Sequence, residues 1–276
     1  MENIQHENTI FAEPIFYIGP PAGGWPITNS LLTSWVAVFV IVLLSVIVRK
    51  KMRNIPSRLQ HFFELIYDGG MDMADQITGS RKTTKKVFPL AISVFFFVLV
   101  NNWLGILPLG GFGIVTHSAE GNFFVPFLRS GTADINTTLM LAVIGVIGSN
   151  IFGIMAIGVW KMFNKYVNLK ALGAIPGKVR RDPAILMVAP ITFFVSILEL
   201  VGEFAKVASL SFRLFGNIFA GEVLLASMAA LLAYGLPIPF LFLEVFVGVI
   251  QAFIFAVLIL VYFTIAAQDH EAHETS

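Results

Sequence analysis

The stretch Ser211-Phe212-Arg213-Leu214-Phe215-Gly216-Asn217-Ile218-Phe219-Ala220-Gly221-Glu222 sets an arginine and a glutamate inside an apolar run that begins after Pro183 and continues to about Tyr234. No turn signal divides this run, so residues 184–234 read as one long helix, tilted or bent, rather than two short spans. A spanning helix needs about 20 mostly apolar residues, because ~30 Å of hydrocarbon is crossed at ~1.5 Å per residue. Four further stretches meet that requirement, at about 31–48, 87–107, 137–160 and 239–267. Lipid offers the backbone no hydrogen-bond partners, so the spans are expected to be helices. The expected fold class is an all-α polytopic membrane protein with about five membrane-crossing helices, the last two forming a long tilted hairpin.

Working outward, residues 56–84 are amphipathic. Leu59, Phe62, Phe63, Ile66 and Met73 fall near helical spacing with charges between them, which reads as an interfacial helix lying on the membrane. Residues 1–30 are expected to be an extracytoplasmic segment, and residues 31–276 a single membrane-embedded domain. Glu2 and Glu7 stand where a cleaved signal would carry basic residues, and the first apolar run ends at Arg49-Lys50-Lys51-Met52-Arg53, so that run reads as an anchor.

Composition agrees. Of the 276 residues, 57% are hydrophobic and 13% charged, and the mean hydropathy is +0.82. That balance excludes an ordinary soluble enzyme, a disordered chain and a nucleic-acid binder. The absence of cysteine excludes disulfides, thiolate catalysis and cysteine-ligated metals. Net charge is only +1, but placement matters more: 15 of the 18 basic residues lie in two segments, 49–86 and 161–181. By the positive-inside rule both segments are cytoplasmic, the N-terminus is outside and the C-terminus is cytoplasmic. Only Arg129 lies in the opposite loops.

A charge at the bilayer centre costs ~2.5–3.5 kcal/mol on insertion scales, so an intramembrane arginine implies a use. Arg213 stays protonated and cannot carry protons, but it can hold a fixed positive field. At ~100° per residue Glu199, Gly202, Lys206, Ser209, Gly216, Asn217 and Ala220 share its azimuth, while Glu222 points about 180° away. Small residues let another helix approach closely, so this face suits a protein neighbour rather than lipid. Lys206 reads equally well as a snorkelling lysine. On the last span Glu244 and Gln251 are seven apart and share a face. Reflecting the hairpin about Leu236–Pro237 sets Glu222 level with Gln251, and Glu244 one to two turns nearer the outer surface. Buried carboxylates with an amide describe a proton inlet, and the plainer alternative is a polar contact that pins the hairpin.

The quoted stretch closely resembles the signature of subunit a of F-type ATP synthases. Gln251-Ala252-Phe253-Ile254-Phe255 resembles that family's C-terminal helix, and Asn101 to Pro108 and Ala133 to Thr138 resemble its two other recurrent segments. The likeness runs from about Val87 to Ala267 in matching order. It implies a non-catalytic stator subunit whose Arg213 faces a ring of c subunits carrying mid-membrane carboxylates. It also implies outer half-channel residues at Glu222, Glu244 and Gln251, an exit-path residue at Glu199 and a polar neighbour of the arginine at Asn217. Glu203 and Lys206 are weaker candidates. The implied partners are the c ring, peripheral-stalk b subunits and the rest of the synthase in a bacterial cell membrane, with no cofactor, no metal and no nucleic acid. Family members often carry histidine where Glu244 stands.

Two other classes compete. A self-contained transporter or channel would use Arg213 to bind an anionic substrate, and predicts repeats or a glycine-broken central span, neither of which is visible. An intramembrane hydrolase needs a reactive pair within spans, whereas His6, His61, His117, His270 and His273 all lie outside them. Gly145, Gly148, Gly153 and Gly158 read as close helix packing.

Overall fold

The computed structural model describes residues 12–18, 24–51, 58–107, 113–118, 121–160, 162, 166, 185–232 and 235–267. Six helices of more than 20 residues organise them: α1 (Asn29–Lys51), α2 (Arg58–Thr78), α3 (Arg81–Ile106), α4 (Ile135–Ile157), α5 (Ile185–Leu231) and α6 (Pro237–Ala267). All but α2 are long and apolar enough to cross a membrane, giving five candidate spans among the described residues. The chain is thus an all-α polytopic membrane protein. The overlong run is a single helix of 47 residues. At ~1.5 Å per residue it is ~70 Å long, more than twice the hydrocarbon thickness, so it can only cross steeply tilted or bent.

The boundaries of the amphipathic segment differ from expectation. Gly79 has φ +66° and ends α2 at Thr78, and α3 starts at Arg81 instead of Val87. Arg81, Lys82, Lys85 and Lys86 therefore form the first turns of α3, and Arg81 pairs with Asp75 across the corner. Hydrogen bonding from Thr84, reinforced by Arg81, holds the Asp75 carboxyl below its ordinary range. Helix α2 buries Met71 and Ala74, exposes Phe62, Leu65 and Tyr67, and packs on α3 and α6. At the end of α4, Gly158 has φ +96°, so Val159 and Trp160 lie beyond the helix.

Among the described residues two antiparallel hairpins, absent from the sequence reading, accompany the helices: β1 (Pro14–Ile18) with β2 (Trp25–Thr28) ahead of α1, and β3 (Gly113–Ser118) with β4 (Gly121–Pro126) between α3 and α4. A short 3-10 turn, Gly131–Ala133, follows and is fully buried.

The core centres on α6, where Phe255, Ile259 and Leu260 meet Val98 of α3, Ala142 of α4, and Leu210 and Leu214 of α5. Gly145, Gly148 and Gly153 on α4 let α6 approach, whereas a side chain at Gly158, expected in the same packing series, would meet none of the described residues within 4 Å, and that glycine only ends the helix. A side chain at Gly145 would meet Ile259, one at Gly148 would meet Phe263, and one at Gly153 would come within 2.7 Å of the Ala266 carbonyl oxygen.

At one end of the bundle a buried polar knot ties the elements together. Ser30 of α1 donates to Asp134 (3.2 Å), Ser34 to Asn101 of α3 (3.3 Å) and Thr132 to Asn102 (2.6 Å). Asn102 in turn donates to the Gly248 carbonyl of α6 at 3.2 Å. Asp134 also caps α4 by accepting from the Asn136 backbone at 3.1 Å. These buried side chains thus regain partners that they would lose on leaving water.

Candidate functional site

Helix α5 presents two different sides. Leu210, Ser211, Leu214 and Ile218 are buried, and Ser211 hydrogen-bonds Thr138 of α4 at 3.3 Å. Turned away from this seam, Ser209, Arg213 and Ala220 are exposed. A side chain at Gly202 or Gly216 would find nothing within 4 Å. Among the described residues no ion pair involves Arg213. An exposed arginine on a water-soluble helix is ordinary, but on a candidate span it is a cation with no water around it.

The remaining candidates lie along the α5–α6 seam. Asn217 donates from Nδ2 to Oε1 of Gln251 at 2.7 Å. Gln251 is buried, and its Nε2 has no partner among the described residues. Glu244 is buried as well, with its carboxylate against the Cα of Gly221, where any Cβ would collide with it. Glu222, the next residue, accepts from Nε of Arg129 at 3.1 Å. The seam thus brings Asn217, Gln251, Glu222 and Glu244 together.

The register differs from the expected one. Gln251 is level with Asn217, not Glu222, and Glu244 is level with Gly221 and Glu222. The hairpin mirrors about a point nearer the end of α5 than the Leu236–Pro237 turn, so the partner of Gln251 shifts by five residues along α5 and that of Glu244 by seven to eight, about one and a half to two turns of helix.

Glu199 and Glu203 lie towards the other end of α5. Lys206 donates to Glu203 at 2.6 Å and lies 5.4 Å from the centre of the Tyr262 ring, so it has an ion-pair partner on its own helix. Asn150 donates to Glu203 at 3.2 Å and accepts from the Tyr166 hydroxyl at 2.7 Å. Burial, followed by the negative charges of Glu203 and Glu199, pushes the Tyr166 phenol above its ordinary range. A cavity of about 520 Å³ between α4 and α5 runs from Asn150, Tyr166 and Glu203 to Ser211 and Phe212.

Arg129, Asn150, Tyr166 and Gly221 were not singled out as site residues by sequence reasoning. Arg129 alone carried a signal, as the one basic residue in the loops opposite the two basic segments. His61 is exposed, and among the described residues no group of three metal-ligating side chains occurs.

Comparison with known proteins gives a consistent result. The family model described as ATP synthase A chain matches residues 31–264. ATP synthase subunit a of Geotalea daltonii is 31% identical over 245 residues, covering 89% of each chain. Its counterpart in Gloeobacter violaceus is 33% identical, covering 89% of this chain and 86% of that one. The chloroplastic subunit a of Stigeoclonium helveticum is 33% identical over 98% of this chain and the whole of its own.

Proposed function

Because the chain belongs to the ATP synthase A chain family, the a subunits of F-type ATP synthases, we propose that it is the stator that couples proton flow to rotation through two offset half-channels. It is a multi-pass, non-catalytic component of the membrane sector of an ATP synthase complex. The reading rests on one observation above the others: Arg213 is exposed on a small-residue face of a candidate span, without an ion-pair partner among the described residues. A ring of c subunits with mid-membrane carboxylates would supply both the close-packed neighbour and the counter-charge.

In this mechanism protons enter from outside past Glu244 and Glu222, with Gln251 and Asn217 as the polar lining, and neutralise a ring carboxylate. A neutral carboxyl can face lipid without the large cost of a bare charge. After nearly a full turn the site meets an exit path near Glu199 and loses its proton beside Arg213, whose fixed charge favours the ionised carboxylate. The same charge repels excess protons and closes a direct leak between the half-channels. The unpartnered Nε2 of Gln251 is consistent with a site that exchanges partners.

The polar knot and the Arg129–Glu222 contact would lie on the outer side, with the N-terminus outside and the C-terminus cytoplasmic in a bacterial cell membrane. Residues 1–30 form the extracytoplasmic segment and 31–276 the embedded domain. Helix α2 rests at the interface, and peripheral-stalk b subunits contact the stator. A self-contained anion transporter is disfavoured because the Arg213 face is an open helix surface rather than an enclosed cavity.

In membrane vesicles holding the assembled complex, Arg213→Ala abolishes ATP-driven proton pumping. Arg213→Lys leaves it badly impaired, since an ammonium lacks the planar fork. Unimpaired pumping by Arg213→Ala would overturn the reading.

A further inference from the structure

We propose that Arg129 is a positioning residue of the proton inlet, holding the Glu222 carboxylate from the loop that precedes α4; this rests on reading Glu222 as part of that inlet. The Arg129 side chain is only 10% exposed, and its Nε donates to Oε2 of Glu222 at 3.1 Å. A guanidinium withdrawn from water to that degree is costly unless a carboxylate compensates it, and removing either partner strands the other.

The segment bearing Arg129 is anchored on its far side. Ser130 donates to the Asn101 carbonyl at 3.3 Å and bonds Thr132 at 2.7 Å, and Thr132 donates to Asn102 at 2.6 Å. Gly131 is so tightly held that a Cβ there would collide with Ser34 and Asn101. The arginine is therefore presented from a fixed base, as a group that sets the geometry of another must be. Two charged groups face Glu222: Arg129 from this segment and Glu244 from α6. The guanidinium thus contacts one of two neighbouring carboxylates, and its placement decides how that pair holds its charge. The sequence supplies no second cation from the outer loops.

The test is ATP-driven proton uptake by the whole complex in liposomes, measured against pH for Arg129→Gln, Arg129→Lys and Arg213→Ala. Arg129→Gln lowers uptake about tenfold, the worth of a charge-assisted hydrogen bond. It also displaces the pH profile by about one unit or more, as losing an adjacent opposite charge does. Arg129→Lys shifts the profile the same way by less, because it keeps the charge without the fork. An assembled Arg129→Gln complex with the parent's profile would overturn the proposal, because a merely structural clamp lowers the amount of complex and not its pH dependence. Should Arg129→Gln fail to assemble, Arg129→Lys decides: a displaced profile supports the proposal and a superimposable one overturns it. Continued pumping by Arg213→Ala would instead sink the ion-translocation reading itself.

Discussion

Gly221 shows how closely the two halves of the seam are fitted. Its missing side chain is the space in which the Glu244 carboxylate lies, so Gly221→Ala forces either the carboxylate or the helix to move. Overpacking of this kind costs about 1–3 kcal/mol. The expected result is a lower melting temperature of the detergent-solubilised complex together with weaker proton pumping. Adding Glu244→Ala to Gly221→Ala restores the melting temperature but not the pumping, and an unchanged melt for Gly221→Ala alone would refute the fit. At this scale the sequence was informative where chemistry was out of place. Arg213, Glu222 and Glu244 stood out because a charge in an apolar run is expensive. Asn150 and Tyr166 did not, because a lone amide or phenol costs little until the fold buries it, and Arg129 was marked only by its place in the outer loops. Gly221 was invisible for another reason: its role depends on a residue that the α5–α6 register brings to it.

The helices themselves were legible from length and hydropathy, including the undivided α5. The errors were at edges, where one residue outweighs a pattern. Gly79 and Gly158 adopt positive φ and end α2 and α4 where composition alone gave no reason to stop. The two β-hairpins were missed because short strands outside the spans lack the periodicity that identified the helices. The glycines of the spans separate by purpose. Gly153 faces the Ala266 backbone, which cannot yield, so Gly153→Val destabilises the bundle by about 1–3 kcal/mol. Gly216 touches nothing in this chain, so Gly216→Leu leaves the subunit accumulating normally in membranes. On the proposed reading the small residue there leaves room for the neighbouring ring, so Gly216→Leu is expected to uncouple ATP synthesis. Membrane abundance and ATP synthesis measured side by side test the contrast, and full coupling in Gly216→Leu would contradict it.

For the whole molecule, α6 is the axis around which the parts are arranged. It packs against α3, α4 and α5 and carries Glu244 and Gln251 on the side that faces α5. That leaves α5 with one side committed to the bundle and the other open, and Arg213 stands on the open side. The central claim is that this open side meets the c ring. Because the chain contains no cysteine of its own, it can be tested by disulfide trapping in the whole complex without background from this subunit. Ser209→Cys and Ala220→Cys place thiols on the open face, Ser211→Cys places one in the α4 seam, and a cysteine beside the ring carboxylate serves as the partner. A disulfide forms only when the two Cβ atoms come within about 4 Å. The account predicts cross-links to the ring from Ser209→Cys and Ala220→Cys and none from Ser211→Cys. An assembled complex that cross-links through Ser211→Cys alone, or through neither open-face position, would contradict it.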